Sequence, residues 1–333
     1  LEEAVTAYTF AVIGNAGASV SGNQDGYNGT NASAVADLVK GFSPEFIITT
    51  GDNSMSATGG ITNGITQYDT NIGQHYSDYI FPYGSSSLHG YTSTATSDTG
   101  NMFFPAIGDR DLTDTYGTTN AGLGTWKNYF TLPGNGSPSN NEEYYTFEKG
   151  VVKFFCIFSN LRNGTAGSLP LYNDGLGNAI GSGQHEWLSR ELTNSRKQGT
   201  HWNVVYFHHS PYSTDANSGG NGEASMRWDF SSMGADVVIT GQGHQYERVE
   251  DSSGFTYLNC GSSGAPLVGA HSSPSLPSGY TSKKFYNAKH GAIKSTVDNT
   301  TLKFEFVDKD GATQDTYTLT RELTATKTTR TAS

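Results

Sequence analysis

Positive charge is the scarcest property of this sequence. Only 20 of its 333 residues are Lys or Arg, against 31 Asp and Glu, so the formal net charge is −11. Nucleic-acid binding needs a basic face, and attraction to an anionic membrane surface needs basic clusters. The composition therefore argues against nucleic-acid binding and gives no electrostatic attraction to a membrane surface.

Long hydrophobic runs and cysteines are also rare. No stretch approaches the roughly 18 consecutive apolar residues of a membrane-spanning helix. The two cysteines, Cys156 and Cys260, both lie inside apolar runs, and no CxxC pattern of a thiolate metal site occurs. We expect two buried free thiols, with a disulfide as the open alternative because both could lie in neighbouring strands.

Small polar residues and aromatics are abundant instead. The chain has 41 Gly and is 12 % aromatic, which argues against disorder. A surface rich in Gly, Ser, Thr and Asn is common in secreted proteins, so we expect an extracellular location. Five sequons are candidates for glycosylation, at Asn28, Asn31, Asn135, Asn163 and Asn299.

Short β-branched runs between turn residues predict a sheet-rich fold. The predicted strands are Tyr8–Ile13, Phe46–Thr50, Phe103–Ile107, Asn203–Phe207, Val237–Thr240, Thr256–Cys260, Ala292–Val297, Thr301–Val307 and Thr316–Thr320, with a hairpin of Tyr144–Lys149 and Val151–Phe158. The predicted helices are Ser33–Lys40, Tyr68–Ile80 and Gln184–Asn194. Strand–helix–strand order near the start favours parallel pairing. We predict an α/β (α+β) fold of two packed mixed β-sheets flanked by helices.

The C-terminal segment differs from the rest. We expect residues 1–321 to form one domain and residues 322–333 (ELTATKTTRTAS) to form a polar, Thr-rich tail. A tail of this composition frays unless something holds it. Because Thr-rich alternation suits an extended strand, it could pair with the sheet edge of a neighbouring subunit.

Polar loops follow five of the predicted strands. Their sequences, in chain order, are GNAG from Gly14, GDNSM from Gly51, GDRD from Gly108, HHSPY from His208 and GQGHQYER from Gly241. Ligand sites of α/β proteins lie at the carboxyl ends of parallel strands. Asp, Asn, His and Gln at five such points could therefore converge on metal ions.

This set of loops resembles the motifs of the calcineurin-like metallophosphoesterases, in particular bacterial relatives of the purple acid phosphatases. The family patterns are GDxG, GDxxY or GDN, GNH[DE], a His before x-Pro-x-Tyr, and GHxHxYER. The phrases IITTGDN, VVYFHHSPYS and QYER are very similar, and the resemblance spans residues 8 to 321. It implies a metallophosphoesterase-like β-sandwich with a dinuclear metal site, where a metal-bridging hydroxide attacks a phosphoester.

Several family positions are changed in this chain. The bridging carboxylate is kept as Asp52, and two histidines are kept as His209 and His244. The changed positions are Asn15 for the first Asp, Met55 for the Tyr, Asp109 for the Asn of GNH[DE], Arg110 for its catalytic His and Gln242 for the first His of GHxH. The candidate metal positions, residual or lost, are thus Asn15, Asp52, Asp109, His209, Gln242 and His244.

The changes weaken metal binding and catalysis. Arg110 cannot act as a general acid, because the pKa of arginine lies above ~12. We predict that its guanidinium takes the place of a metal through a forked salt bridge to Asp52 or Asp109. We therefore expect no cofactor, and we assign no residue a catalytic role. The alternative is one weakly bound divalent cation, Ca²⁺, Mg²⁺, Mn²⁺ or Zn²⁺.

For several other polar residues we expect structural roles. We expect His208 to be structural or exposed, and a salt bridge between Glu247 and Arg248 to fix their loop. For His244, a hydrogen bond to a carbonyl is as plausible as a metal bond. The Tyr- and Ser-rich insert Ser56–Gly100 either binds a sugar or a partner or simply covers a surface.

Two functions from different classes follow. The first is a non-catalytic pseudo-phosphatase that serves as an extracellular structural or interaction subunit of a fibre or surface layer, forming homo-oligomers or polymers and carrying or contacting glycans. The second is a divergent secreted metal-dependent phosphatase or phosphodiesterase. A third, weaker hypothesis is a phosphate- or glycan-binding module in which Arg110 holds an anion.

Overall fold

The computed structural model describes residues 6–17, 29–55, 65–84, 89–112, 121–136, 141–160, 183–199 and 202–322. The strands are β1 Tyr8–Ile13, β2 Phe46–Thr49, β3 Phe103–Pro105, β4 Tyr145–Lys149, β5 Val152–Cys156, β6 Trp202–Tyr206, β7 Val237–Thr240, β8 Tyr246–Asp251, β9 Thr256–Cys260, β10 Tyr280–Tyr286, β11 Gly291–Val297, β12 Thr301–Asp308 and β13 Thr313–Thr320. The longer helices are Gly29–Gly41, Ala121–Tyr129 and Gly183–Gln198. Short helical turns span Ile65–Tyr68, Asp69–Gly73, Gln74–Tyr76, Ser77–Tyr79, Ala224–Met226 and Phe230–Met233.

The described strands form two mixed sheets. The first has the order β13-β12-β11-β1-β2-β3, and the second has the order β10-β8-β9-β7-β6-β5-β4. In the first sheet β1, β2 and β3 are parallel, whereas β11, β12 and β13 pair antiparallel. In the second sheet β5, β6, β7 and β9 are parallel, with antiparallel partners at both ends. The prediction of two mixed sheets is confirmed.

Aromatic side chains fill the space between the sheets. Phe10 of β1 stacks on Phe46 of β2, with ring centroids 5.1 Å apart, and meets Phe154 of β5 edge-on at 5.2 Å. Phe147 of β4 stacks on Phe104 of β3 at 3.8 Å. Such pairs add to the free energy of burial, which is why the sandwich closes around large rings.

The outer face of the second sheet carries another apolar layer. The helix Gly183–Gln198 buries Trp187, Leu188 and Leu192, at the spacing of one helical face. They belong to the same cluster as Val205 of β6 and Val238 of β7. The central strands of this sheet are thus covered on both faces, which matches their continuous apolar sequences.

A polar contact ties the two sheets together near one edge. Asp315 of β13 accepts hydrogen bonds from the Tyr246 hydroxyl and from Nε of Arg248, both at 2.8 Å. Tyr246 and Arg248 belong to β8 of the other sheet, and the Tyr246 ring stacks on Phe306 of β12 at 4.3 Å. Charge-assisted bonds of this kind fix the position of β13 against the second sheet.

The structure extends and corrects the element predictions. The first helix begins at Gly29 rather than at Ser33, and the predicted helix Gln184–Asn194 continues to Gln198. Sequence reasoning missed β8, β10 and the helix Ala121–Tyr129. Both cysteines are buried free thiols, so the disulfide alternative is wrong. The predicted tail lies outside the described residues from 323 onward.

In the part of the chain described here, no helix has the length and apolar character needed to cross a membrane.

Candidate functional site

Five loops converge at the carboxyl ends of strands from both sheets. Asn15, Asp52 and Asp109 follow β1, β2 and β3. His208 and His209 follow β6, and the loop with Gln242 and His244 follows β7. Backbone hydrogen bonds join the loops, among them Asn15 N to Gly51 O at 3.1 Å and Gly241 N to His208 O at 3.0 Å. The predicted convergence of these loops is therefore present.

The backbone of these loops is held in uncommon conformations. Asn15 and Asp52 have φ values of 52° and 56°, and Gly51 has a φ of 95°. A Cβ at Gly51 would lie 2.8 Å from Nδ1 of His208, so only glycine leaves room for that ring. Non-glycine residues at positive φ persist where surrounding contacts over-determine them, and they cluster at functional sites.

His208 lies between the two acidic side chains of the site. Its Nε2 is 3.0 Å from Oδ1 of Asp109 and 3.6 Å from Oδ1 of Asp52. Its Nδ1 is 2.9 Å from the carbonyl of Thr50, which only accepts, so Nδ1 carries a hydrogen. His208 is 1 % exposed, so of the two expectations for it, structural or exposed, the structural one agrees with its place in the fold, and its ring also reaches both carboxylates.

The charges of this cluster depend on one another. Burial would lower the pKa of His208, but the carboxylates of Asp52 and Asp109 outweigh it and raise that pKa. Burial, followed by the charge of Asp109, raises the pKa of Asp52. A proton on Nε2 of His208 therefore gives both carboxylates a cationic neighbour without any metal.

Asn15 is fixed by its amide nitrogen. Nδ2 donates to the carbonyl of Gly241 at 2.7 Å and to that of Gly261 at 3.0 Å. Both acceptors are backbone oxygens at the ends of β7 and β9, in the opposite sheet. An aspartate at this position would place a carboxylate oxygen against two carbonyl oxygens. At the position where the resemblance implies an Asp that binds a metal, Asn15 thus forms a bridge between the sheets.

Arg110 does not make the forked contact predicted for it. Its Nε is 3.8 Å from Oδ2 of Asp109, which is longer than a hydrogen bond, and its side chain is 28 % exposed. Asp52 instead accepts the backbone N–H of Arg110 at 2.9 Å. The predicted ion pair of Arg110 with Asp109 is therefore present, but it is long and not forked, and the His208 ring occupies the place between the carboxylates.

His209 and His244, the two histidines that match the family pattern, each use Nδ1 for a contact outside the carboxylate pair. Nδ1 of His209 is 3.0 Å from Oγ of Ser159, and Nδ1 of His244 is 2.9 Å from the carbonyl of Pro266. Burial, followed by the charge of His208, lowers the pKa of His209 to about 3, so it is neutral. Burial also lowers the pKa of His244. The predicted carbonyl contact of His244 is present.

Asp111 holds the loop that follows β2 against the loop that follows β3. Its carboxylate accepts hydrogen bonds from the backbone N–H groups of Asn53, Ser54 and Gly108, at 3.0, 3.2 and 2.8 Å. Burial raises the pKa of Asp111 to about 6, although these hydrogen bonds act in the opposite direction. Sequence reasoning assigned this residue no role, yet it holds the Asp52 loop beside the Asp109 loop.

The remaining predicted positions have mixed outcomes. Met55 is fully buried, and the carbonyl oxygens Oδ1 of Asn15 and Oε1 of Gln242 are buried without a hydrogen-bond partner among the described residues.

The predicted salt bridge between Glu247 and Arg248 is wrong. Glu247 is fully buried and accepts from hydroxyls, including Ser213 at 2.6 Å, because successive residues of β8 point to opposite faces.

Three residues could hold a cation together. Among the described acidic, His and Cys residues, Asp52, Asp109 and His208 have ligand atoms within 4.8 Å of one another, and His209 and His244 are not members of that group. The partnerless carbonyl oxygens of Asn15 and Gln242 belong to two of the same five loops, and oxygens of this kind suit a hard cation. This set fits one ion, and it fits the implied dinuclear centre poorly because the His208 ring lies between Asp52, at the bridging position, and Asp109, at a position of the second metal.

The glycosylation candidates fall in different environments. Asn28 and Asn163 lie outside the described residues. Asn31 is half-buried in the first turn of its helix. Asn135 donates through Nδ2 to the carbonyl of Thr146 at 2.8 Å, and the side chain of Asn299 is only 8 % exposed. Their modification stays a prediction.

Known proteins resemble this chain in sequence and in fold. No family model matches it. Purple acid phosphatase 18 of Arabidopsis thaliana is 28 % identical over 128 residues, which cover 38 % of this chain and 25 % of that protein. The chain thus spans about a quarter of the length of this curated relative, and purple acid phosphatase 23 of the same plant matches similarly, at 28 % identity over 145 residues.

Solved structures match over nearly the whole chain. Purple acid phosphatase PPD1 from yellow lupin (Lupinus luteus) seeds superposes with a TM-score of 0.63 at 17 % identity, covering 95 % of this chain and 54 % of its own. GAP50, described as the anchor in the inner membrane complex of Plasmodium, superposes with a TM-score of 0.59 at 16 % identity, covering 96 % and 90 %. The chain therefore has the calcineurin-like metallophosphoesterase fold, which purple acid phosphatase PPD1 shares.

Proposed function

We propose that this chain is a non-catalytic protein with the metallophosphoesterase fold that serves as an extracellular structural or interaction subunit. The observation that carries the proposal is the closure of the site by its own side chains. The amide of Asn15 bonds two carbonyls of the opposite sheet, and the ring of His208 lies between Asp52 and Asp109. Side chains of the protein itself therefore already make the contacts that a bound metal ion would need.

The loss of the acid supports the same proposal. The family places a histidine beside its second-metal ligand to assist the leaving group, and this chain has Arg110 there. A guanidinium keeps its proton at any pH a protein tolerates, so it cannot donate one to an alkoxide. General acid catalysis typically contributes about 10²–10⁴-fold to a rate, and that contribution is absent from such a site.

Use of this fold outside hydrolysis has a parallel. GAP50 is described as an anchor, and its fold covers 96 % of this chain. At 16 % identity the likeness concerns the fold alone. It supports the proposal by analogy: a two-sheet sandwich of this architecture can be used to hold other components in place.

Metal content and hydrolysis together test the loss of catalysis. We expect the purified protein to contain close to no iron, zinc or manganese per chain by mass spectrometry. We also expect no metal-dependent hydrolysis of an aryl phosphate above the rate of Asp52→Asn, which removes the central carboxylate charge. Stoichiometric transition metal, or hydrolysis that Asp52→Asn abolishes, would contradict the proposal.

A one-cation phosphatase is the second candidate, and the Asp52, Asp109 and His208 group is the observation that favours it. A borderline or hard divalent ion bound there would polarise a phosphoryl oxygen, while His209 and His244 line the same loops. The measurements of metal content and hydrolysis separate the two candidates. The one-cation phosphatase requires one equivalent of metal per chain, and its activity must return when the ion is added back to metal-free protein.

Assembly is proposed through the edge strand β13. This strand has eight residues, no Pro or Lys, and outward Thr residues at 313, 316, 318 and 320. The strand β10, an edge of the other sheet, carries Lys283 and Lys284, whereas β13 carries no lysine; both strands have a register shift against their neighbour. Edges without such charges accept further strands more readily. We propose that residues 322–333 of a second copy pair with β13.

Removal of the tail tests this assembly. A chain ending at Arg321 should remain monomeric by light scattering under conditions where the full chain forms oligomers or polymers. Thr318→Lys, on β13, should weaken assembly because it adds the charge that protects natural edges, whereas Thr281→Lys, on β10, serves as the matched control and should assemble normally. Unchanged assembly of the shortened chain would rule out the tail as the connecting segment.

A further inference from the structure

Among the described residues, an asparagine is followed directly by a glycine at two places, Asn135 with Gly136 and Asn221 with Gly222. In such a pair the backbone nitrogen of the glycine can attack the side-chain carbonyl carbon of the asparagine, because glycine has no Cβ to hinder the approach. The reaction converts the asparagine to an acid. Whether it proceeds in a folded protein depends on what holds the attacking nitrogen and the amide, and the two pairs differ sharply in this respect.

Asn135 is held at every reacting group. Its Nδ2 donates to the carbonyl of Thr146 at 2.8 Å, and its Oδ1 accepts the backbone N–H of Thr146 at 2.8 Å. The backbone N–H of Gly136 donates to the carbonyl of Asn141 at 3.2 Å. The attacking nitrogen and the amine that would leave are therefore both engaged, so this pair is protected while the chain is folded.

Asn221 is held only by its oxygens. Its Oδ1 and its backbone carbonyl accept hydrogen bonds from Nη2 of Arg227, at 2.7 and 2.8 Å. Within the described part of the chain, neither Nδ2 of Asn221 nor the backbone nitrogen of Gly222 makes a hydrogen bond. Asn221 is half-buried, so solvent reaches it. The attacking nitrogen and the leaving amine are thus both free, unlike those of the first pair.

The guanidinium on the amide oxygen is itself fixed in place. Nε of Arg227 donates to the carbonyl of Pro211 at 3.1 Å, and its guanidinium carbon lies 5.3 Å from the ring centre of Tyr212. A fixed cation on a carbonyl oxygen stabilises the negative charge that develops there when a nucleophile adds to the carbon. The position after Asn221 also requires glycine, because Gly222 has a φ of 80° and a Cβ there would lie 2.6 Å from the Pro211 oxygen.

We propose that Asn221 is a site of spontaneous conversion to aspartate in the folded protein. The backbone nitrogen of Gly222 gives up its proton and bonds to Cγ of Asn221, the bond from Cγ to Nδ2 breaks, and Nδ2 leaves with that proton as ammonia. One water molecule then opens the resulting cyclic imide to the acid. The new carboxylate faces Arg227 in place of a neutral amide and gains a charge-assisted hydrogen bond. The proposal does not depend on the proposed function, which uses none of these residues.

Peptide mapping by mass spectrometry tests the proposal on the full chain, incubated for several weeks in mildly alkaline buffer at physiological temperature. We expect Asn221 to be converted at least about tenfold faster than Asn135, which is the matched control within the same molecule. In concentrated urea the two should react at similar rates, because both are then followed by an unconstrained glycine. No conversion of Asn221 in the folded chain, or the same ratio of rates in folded and unfolded chains, would overturn the proposal.

Variants test the part played by the guanidinium. Arg227→Gln should slow the conversion of Asn221 about tenfold, since it removes the charge that stabilises the reacting oxygen. A rate that is unchanged or higher in this variant would contradict that part.

The aspartyl product is tested separately by thermal unfolding. Asn221→Asp should raise the midpoint of unfolding, and it should not do so when Arg227→Gln is also present. Asn135→Asp should lower the midpoint, because it places an oxygen against the carbonyl of Thr146. A lower midpoint for Asn221→Asp would show that this loop does not accept the product.

Discussion

Replacing Asn15 by Asp should lower the free energy of unfolding by about 3 kcal/mol in metal-free buffer near neutral pH. The substitution changes one atom, but it turns two hydrogen bonds to Gly241 and Gly261 into contacts between oxygens and buries an unpaired charge. Guanidinium unfolding followed by circular dichroism measures the change.

Asn15→Ala separates the lost bonds from the added charge. It removes the same two bonds without adding a carboxylate, so it should cost less, about 1–2 kcal/mol. If Asn15→Asp were as stable as the parent, or became more stable only when zinc or manganese was added, the position would still be a metal position, and the interpretation of Asn15 as a bridge between sheets would be wrong.

Replacing His208 by Leu should cost about 3–5 kcal/mol of stability, because it leaves the buried Asp52 carboxylate beside Asp109 without its cationic neighbour. His209→Leu is the matched control on the adjacent residue. The pKa of His209 is lowered to about 3, so its ring is neutral, and its removal breaks the contact with Ser159 and the ring contact with His208 without leaving a carboxylate unpaired. Equal losses in the two variants would contradict a charged role for His208.

The pH dependence of stability gives the same cluster an independent test. The folded pKa of His208 is raised to about 9 from 6.5, so the folded state holds a proton that the unfolded state releases first. Its stabilisation is complete below pH 6.5 and is lost as the pH rises to about 9. Asp52, whose folded pKa is also raised, changes stability in the same direction, with loss as pH rises through its folded value.

Unfolding titrations from pH 6 to 9.5 measure this dependence. The parent should lose up to about 3 kcal/mol over that range, since one pKa unit corresponds to about 1.4 kcal/mol. His208→Leu should have a flatter profile at the alkaline end. A parent whose stability is constant or rises between pH 6.5 and 9 would show that no proton is held between the carboxylates.

The sequence predicted the sheet well where burial imposes a pattern. The strands β1, β6 and β7 are mostly apolar and almost fully buried, because both of their faces are covered, and such β-branched runs are easily recognised. The strands β8 and β10 were missed since one face of each meets polar surroundings, so their sequences YERVED and YTSKKFY mix charged and aromatic residues.

The site was predictable in position but not in orientation. Loops after parallel strands had to converge, and Asp52 and Asp109 do lie together. Which of two adjacent histidines faces the carboxylates depends on the direction of a loop that no periodicity describes, and His208 has that place instead of His209. Arg110 was expected to bond the carboxylates through its guanidinium, yet its Nε stays 3.8 Å from Asp109 and it is the backbone N–H that bonds Asp52.

The bonds of Asn15 also bear on when the molecule becomes complete during folding. Their acceptors lie 226 and 246 residues further along the chain. Closing such long loops has an entropic cost that only many other contacts offset, so distant contacts of this kind form after the local hairpins. During synthesis the amide of Asn15 must wait until β7 and β9 have been made, and the two sheets cannot be locked together before most of the polypeptide exists. A chain whose synthesis stops before Gly261 lacks the hydrogen bond between Asn15 and Gly261. The aromatic side chains between its two sheets then stay accessible to chaperones or to other chains.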